Sequence, residues 1–428
     1  MWRRLLVAGC CTVAASAAHA QPAHLAPDEI STHATPQAEV PSIDVLTFGI
    51  GARIFEKFGH AAICLRYANP DHPTVCFNYG VTDFAAGPIM IWNFLRTQQR
   101  FWVEPTSLGS MLSFYEAEDR DIWLQTLPIY GERARALEAK LWSDVQEANR
   151  YYYYDHFYDN CSTRLRDMID QATGGALRGD PRARYPLTFR ELGRRGLAGM
   201  PPLLVASDLV VGRDIDERPT MWQAMFHPEI FRLELAEKLG AEPRLIYQRQ
   251  GPAFPVEGSS GRLALFAIGL GFALPLVIAQ WRRRWQRAAR VWASVPLVVL
   301  GVLVWGIAIV SSIPAVRYNE AVLIAVPLDL VLALPLLGPA GRRRYAQGRL
   351  AGLALVAALA AIGVLHQPLW TLVLVVVLPM VTIALDLPHG LAARSARGPV
   401  AAVIDEPVAL AAATAAIAEA APEAAAGP

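Results

Sequence analysis

Between residues 263 and 387 the chain holds five apolar stretches, 263–280, 291–313, 321–338, 350–366 and 369–387, each close to the ~20 residues that cross a bilayer core. In lipid the backbone polar groups must be satisfied inside the segment itself, so a helical membrane half is expected. With 54% hydrophobic side chains, the chain as a whole is too apolar for an ordinary soluble protein. The connections set a direction. Arg282, Arg283, Arg284, Arg287 and Arg290 lie between the first two stretches, and Arg342, Arg343, Arg344 and Arg349 between the third and fourth. The second connection carries only Arg317 with Glu320, and the fourth, at His366 and Gln367, carries neither Lys nor Arg. The positive-inside rule then runs the odd-numbered stretches inward and leaves the preceding domain outside.

The N-terminus points to the same side. Arg3 and Arg4, the apolar run 5–15 and the small-x-small triplet Ala18-His19-Ala20 have the form of a secretory signal peptide over residues 1–20. A lipobox reading at Val7-Ala8-Gly9-Cys10 would leave an apolar core shorter than a normal signal. Cleavage after Ala20 removes Cys10 and Cys11 and leaves Cys64, Cys76 and Cys161 in an oxidising compartment. Three thiols cannot all pair. Cys64 and Cys76 can bridge across a hairpin, which leaves Cys161 as the odd cysteine. The formal net charge of +1 offers no field for nucleic acid or a polyanionic partner.

Residues 21–43 are rich in Pro, Ala, His and Thr and are expected to form a flexible leader; 44–250 read as a globular exported domain. A Pro/Gly/Ser linker at 251–262 leads to the membrane domain at 263–388, and the Ala-rich 389–428 reads as a disordered cytoplasmic tail. Within the exported domain, β-type runs at 59–67 and 74–80 flank the turn-rich 68–73, which predicts a hairpin. Helical periodicity follows at 132–147, at 162–172 and, mixed, over 188–239.

The segment from Tyr151 to Asp167 carries the chemistry. An aromatic stretch ends at Asp159-Asn160, good N-cap residues, and the spacing of Leu165, Met168 and Ile169 begins a helix just after. Cys161 is thereby set at a helix N-terminus, where unpaired N–H groups favour the thiolate. The bland alternative is a buried cysteine serving as a small hydrophobe, against which stand its polar flanks Asn160, Ser162 and Thr163. A thiolate nucleophile needs a base, and His60, at a strand start after Gly59, is the candidate; a satisfied core histidine is its plain alternative. A hairpin centred between residues 70 and 71 puts His60 opposite Val81, with Tyr79 and Asp83 on its face. Asp83 is then the expected orienter of the imidazole, or else a turn residue. Asn78 faces away in that register, unless a bulge or a one-residue slip turns it.

Arg164 and Arg166 follow the cysteine and have three readings: a phosphate contact, a buttress for Asp155 and Asp159, or a solvated helix face. Trp92, Phe94, Phe101 and Trp102 around Arg96 and Arg100 suit either a membrane interface or core packing. Asp329, inside the third stretch, is a functional candidate or an interhelical hydrogen-bond partner.

The motifs Phe58-Gly59-His60-Ala61-Ala62, Phe77-Asn78-Tyr79-Gly80-Val81-Thr82-Asp83-Phe84 and 154–166 resemble those of the Lnb N-terminal periplasmic domain. The order His, strand polar residue, Asn-Cys is also similar to circularly permuted papain-like proteins of the NlpC and lecithin:retinol acyltransferase type. Residues 208–212 and Met225-Phe226-His227-Pro228 extend the likeness over about 44–240, and 319–328 is more weakly similar to the membrane half of Lnb-type proteins. Thr97 departs from the pattern, which has glycine there.

The resemblance implies an α+β permuted papain-like (NlpC-like) domain with helical additions, joined to about five transmembrane helices in the bacterial inner membrane. It also implies a lipoprotein N-acyltransferase, which moves an acyl chain from a phospholipid to the α-amine of a lipoprotein's N-terminal cysteine. Carried over, Cys161 forms the acyl thioester, His60 shuttles the proton and Asp83 orients it, with Asn160, Asn78, Tyr79 and Arg164 in support. No cofactor and no metal is implied, and no His pair has zinc-ligand spacing. The partners are the phospholipid donor, the lipoprotein acceptor and the inner membrane. Two other readings compete: a periplasmic cysteine amidase or peptidase acting on the cell wall, and a non-catalytic membrane sensor or scaffold.

Overall fold

The computed structural model describes residues 39–83, 87–255, 257 and 262–385. The signal peptide, most of the leader and the cytoplasmic tail expected from sequence lie outside these residues. The N-terminal part is an α+β domain built on one antiparallel sheet, which among the described residues has seven strands. In chain order they are β1 (Ser42–Phe48), β2 (His60–Arg66), β3 (Val75–Val81), β4 (Arg100–Ser107), β5 (Ile122–Thr126), β6 (Tyr151–Tyr153) and β7 (Arg244–Tyr247). Their spatial order is β6-β4-β3-β2-β1-β5-β7. The helices longer than one turn are α1 (Pro88–Leu95), α2 (Leu108–Ala117), α3 (Gly131–Asp144), α4 (Cys161–Thr173), α5 (Phe189–Leu197), α6 (Pro201–Val210) and α7 (Pro228–Leu239). The membrane half then has α8 (Arg262–Arg282), α9 (Gln286–Val310), α10 (Pro339–Ala361) and α11 (Trp370–Leu385).

The hairpin predicted around residues 68–73 is β2 and β3. Both strands, and β1 beside them, are buried on both faces, so their sequences read as nearly unbroken apolar runs rather than alternating ones. On one face Ile43, Ile63 and Phe77 pack against Leu141, Leu165 and Phe231 of the helices. On the other Leu46, Ala62 and Cys76 pack against Met111 and Tyr115 of α2. Cys64 and Cys76 are register partners and are joined by a disulfide across a separation of 12 residues. A loop of that size, closed in the unfolded chain, contributes ~3 kcal/mol. The strands β1, β4, β5, β6 and β7 carry no comparably clear signal and escape the sequence reading.

Thr97, where the sequence pattern has glycine, sits just beyond α1 with φ 54°. A β-branched residue in the left-handed region pays a steric cost that glycine does not. Thr97→Gly is therefore expected to stabilise the domain by about 1 kcal/mol, seen as a higher melting temperature. An unchanged or lower melting temperature contradicts this.

Two helices among the described residues, α8 and α9, are long and apolar enough to cross a membrane. Of about five such helices expected, these two are found among the described residues. The third stretch, 321–338, forms no α-helix: its regular structure is two 3-10 turns, Glu320–Leu323 and Pro327–Leu332. Proline explains the difference. Pro327 and Pro335 lack the N–H an α-helix needs, and Val326, before a proline, is held extended at φ −112° and ψ 119°. Gly301 of α9 lets this irregular segment close in, since a side chain there would meet the Pro327 nitrogen at 2.9 Å. Two of the segment's carbonyls are bonded by the neighbouring helix: Trp305 Nε1 donates to the Val322 and Ala325 oxygens at 3.0 Å each. Asp329 accepts from Tyr345 Oη and Arg349 Nε, both at 2.8 Å, and so pins the segment to α10. The fourth stretch is the apolar end of α10, whose first turns hold Arg342, Arg343 and Arg344; the fifth is α11, 16 residues long.

The two Arg-rich connections share one end of this half, where Arg290, Arg342 and Arg343 line a common cleft. The opposite end meets the sheet domain. Asn319 donates to the carbonyls of Leu209 and Val210 at 2.8 and 3.0 Å, capping the end of α6. Arg213 pairs with Glu320 at 3.4 Å, and Ser311 Oγ donates to the Leu95 carbonyl at 2.9 Å. The segments 208–212 and 319–328, singled out separately in the sequence, thus touch each other.

Candidate active site

The site forms where the first residue of β2 meets the first residue of α4. A turn over residues 155–159 delivers the cysteine: Asp155 Oδ1 accepts the N–H groups of Phe157 and Tyr158 at 2.9 and 3.0 Å. Asn160 then caps α4. Its Oδ1 accepts the Thr163 N–H at 2.9 Å, Thr163 Oγ1 accepts the Asn160 N–H at 2.7 Å, and its Nδ2 donates to the His156 and Phe226 carbonyls. Leu165 and Ile169, one turn apart, are fully buried and fix the helix on the sheet. Cys161 is the first helical residue, is partly exposed, and is the free cysteine among the described residues.

His60 reaches the same point from the sheet. Gly59, before it, has φ 81°, and a side chain there would lie 2.7 Å from the Phe48 carbonyl oxygen. Across from His60 the register of β2 and β3 leads to Gly80, at φ 97° in a bulge between Tyr79 and Val81. A side chain on Gly80 would point at the centre of the site, its Cβ 3.9 Å from each of Cys161 Cβ, His60 Cε1 and Tyr152 Oη. Glycine leaves that space open. The His60 side chain and the backbone N–H of Ala61 act on the Cys161 sulfur through hydrogen-bonding interactions that favour its charged form, and Ser162 Oγ stands 4.0 Å from it. Burial pushes the thiol up, but the charge of His60 and these hydrogen bonds outweigh it and hold Cys161 below the ordinary thiol value.

The residue on the imidazole is Asn78, whose Oδ1 lies 2.5 Å from His60 Nε2. Asp83, the expected orienter, lies beyond the end of β3 and is exposed. Asn78 is brought to the ring by a shift of one residue in the hairpin. Cys64 pairs with Cys76, which turns Asn78 toward His60 and turns Tyr79 away. Tyr79 is accordingly a core residue, 1% exposed, donating its hydroxyl to Asp144 at 2.8 Å. Arg164 buttresses the turn: it grips Asp159 with two hydrogen bonds, of 2.6 and 2.9 Å, and lies 3.7 Å over the Tyr152 ring. Arg166 is buried and donates to the Trp222 carbonyl at 2.9 Å. The aromatic group divides, with Phe101 buried against Tyr154 and Trp92 exposed.

Sequence reading assigned no role to Tyr152. It is the inward residue of β6, 8% exposed between exposed Tyr151 and Tyr153, and its buried hydroxyl has no protein hydrogen-bond partner among the described residues. Burial, then the charge of Cys161, raises its pKa well above the ordinary phenol value, so it remains a proton donor. Four consecutive tyrosines hide the alternation that would have singled it out.

Residues 29–195 match the family model of the Lnb N-terminal periplasmic domain. This part of the chain is similar to that domain. No curated protein and no solved structure matches the chain. The matched span of the Lnb domain contains His60, Asn78, Tyr152 and Cys161, and ends within α5. The segments 208–212 and 225–228, which sequence reading grouped with the domain, lie beyond the match.

Proposed function

We propose that this protein is a thiol acyltransferase of the periplasmic face of the inner membrane, moving an acyl chain from a phospholipid to the α-amine of a lipoprotein's N-terminal cysteine. The observation that carries this reading is Cys161 at a helix start facing His60 across Gly80, with its thiol held below the ordinary value by His60 and the Ala61 N–H, in a chain with two helices of membrane-spanning length. A permuted papain-like arrangement accounts for a nucleophile on a helix N-terminus and a base on an adjacent strand. The two Arg-rich connections at one end of the helical half support a cytoplasmic position for that end, and hence a periplasmic one for the sheet domain.

In this mechanism Asn78 Oδ1 accepts the Nε2 proton of His60, which leaves Nδ1 to take the thiol proton. The thiolate attacks the ester carbonyl of the phospholipid, forming the C–S bond. The resulting oxyanion is held by the Tyr152 hydroxyl and by the Cys161 N–H, which at the first helical position has no intrahelical acceptor. Collapse breaks the ester C–O bond, and the His60 imidazolium gives its proton to the departing lysophospholipid alkoxide. The lipoprotein amine then attacks the thioester, His60 takes the amine proton, the C–S bond breaks and the thiol is restored as the amide forms. No redox partner or metal is needed to balance either half.

Tyr152→Phe is expected to lower kcat for acylation about 10- to 100-fold while changing KM little, because the bond it removes strengthens only as the oxyanion forms. A full rate in this variant would remove the hydroxyl from the mechanism. The reading as a whole is tested by incubating the purified full-length protein with labelled phospholipid, a diacylglyceryl-cysteine peptide and, separately, cell-wall sacculi. Amide-linked label on the peptide is the expected result. Release of muropeptides without acyl transfer would favour the cell-wall amidase instead.

A further inference from the structure

Against the turn that delivers Cys161, at Tyr154 and residues 155–157, lies a partly open, mostly apolar cavity of about 220 Å³. Phe58, two residues before His60, and Tyr154, whose hydroxyl interacts electrostatically with the Cys161 sulfur, form its wall toward the site. Phe157 and Phe189 continue that wall. Its far wall holds Ile313 and Val316, which follow directly on the end of α9 at Val310. The charged groups on its wall have partners in the protein: Arg190 grips Asp216 at 2.7 and 3.0 Å, Asp208 lies 3.5 Å from Arg190 and from Arg194, and Asp155 accepts the N–H groups of Phe157 and Tyr158. His156, also on the wall, is pushed down to about 4 by burial and by His227, and is uncharged at neutral pH. Phe94 brings α1 to the rim, and on that helix Ile89, Ile91 and Trp92 are 67%, 57% and 49% exposed. Since Ser311 is bonded to Leu95, this apolar helix lies level with the outer end of a membrane-length helix.

We propose that the cavity is the subsite for the acyl chain of the donor lipid, received from the bilayer past α1 and held with its ester carbonyl at Cys161. The inference rests on the acyltransferase reading above and adds the part of the chain that measures the acyl group. A mostly apolar, aromatic-walled space that runs from the turn before the nucleophile to the level of the lipid headgroups suits a hydrocarbon tail better than a headgroup or a peptide. The acceptor lipoprotein also carries acyl chains, so the test uses the first half-reaction, which needs no acceptor.

Gly193 supplies the probe. It lies on α5, lines the cavity, and a Cβ built there meets nothing within 4 Å. Gly193→Phe and Gly193→Leu therefore fill the space without a backbone clash. Full-length protein in detergent is exposed to phospholipids bearing either octanoyl or palmitoyl chains, and the Cys161 adduct is followed by intact-protein mass spectrometry. The palmitoyl-to-octanoyl rate ratio is expected to fall at least about thirtyfold in Gly193→Phe, the equivalent of losing two or three buried methylenes at ~0.8 kcal/mol each, and by less in Gly193→Leu. A wild-type ratio in both variants, or equal loss of both chain lengths, overturns the proposal. A second arm separates this from failure of the chemistry: a fluorescent fatty acid is titrated into Cys161→Ser and into Cys161→Ser with Gly193→Phe. If wild-type protein forms no adduct with either lipid, the acyltransferase reading fails, and the cavity is judged on whether Gly193→Phe weakens that binding at least about tenfold.

Discussion

Replacing Cys161 with serine is expected to lower acyl transfer by at least about a thousandfold. The local groups act on a thiol: His60 and the Ala61 N–H favour the charged sulfur against the effect of burial. An alcohol ionises several pH units higher, beyond what one imidazole and one N–H can offset, so the hydroxyl stays protonated and weakly nucleophilic. The same reasoning predicts that Cys161 is alkylated by iodoacetamide at neutral pH faster than a free cysteine, and that His60→Ala removes this advantage. A serine variant keeping a tenth of the activity would mean that position 161 is not the nucleophile.

The next largest effect is expected along the hydrogen-bond chain behind the sulfur. His60→Ala should reduce the rate about a thousandfold, since it removes both the base and the acid that protonates the leaving alkoxide. Asn78→Ala should cost about 10- to 100-fold by freeing the ring to rotate and to protonate on the wrong nitrogen, with Asn78→Asp partly restoring the rate. Asp83→Ala should stay within about twofold, because the ring's Nε2 is bonded to Asn78 and Asp83 lies exposed past the end of β3. Steady-state rates of the four variants on one ester measure this order. An Asp83→Ala loss equal to that of His60→Ala would make Asp83 the orienter.

The difference between Asn78 and Asp83 shows where sequence reading stops. The cap at Asn160, the helix behind Cys161 and the hairpin that carries His60 are written in local residue choices, and a cysteine count foresees the bridge between Cys64 and Cys76. Which residue faces His60 depends on a one-residue register. That register is normally fixed by apolar and polar faces alternating along a strand, but β3 is buried on both faces almost throughout and offers no such contrast. The bridged cysteines themselves were the usable clue: making them direct partners puts Asn78 on the histidine's face. Tyr152 was illegible for a related reason, lying in a run of identical residues.

In the membrane half composition is a partial guide. Stretch 321–338 is as apolar as its neighbours, yet Pro327 and Pro335 deny it an α-helix, and it is held by Trp305, Tyr345 and Arg349 from adjoining helices. Hydropathy counts side chains and is blind to a missing backbone donor. Asp329, by sequence a functional candidate or an interhelical hydrogen-bond partner, bonds Tyr345 and Arg349 of α10. Thr97, standing where the pattern has glycine, adopts the left-handed backbone that glycine takes without strain.

The most direct test of the account is intact-protein mass spectrometry of the full-length chain after exposure to phospholipid with no acceptor present. The account predicts a gain of one acyl mass on Cys161, released by hydroxylamine as a thioester is, and passed to the α-amine when a diacylglyceryl-cysteine peptide is added. A folded protein that gains no acyl group, or gains it on any other residue, contradicts it.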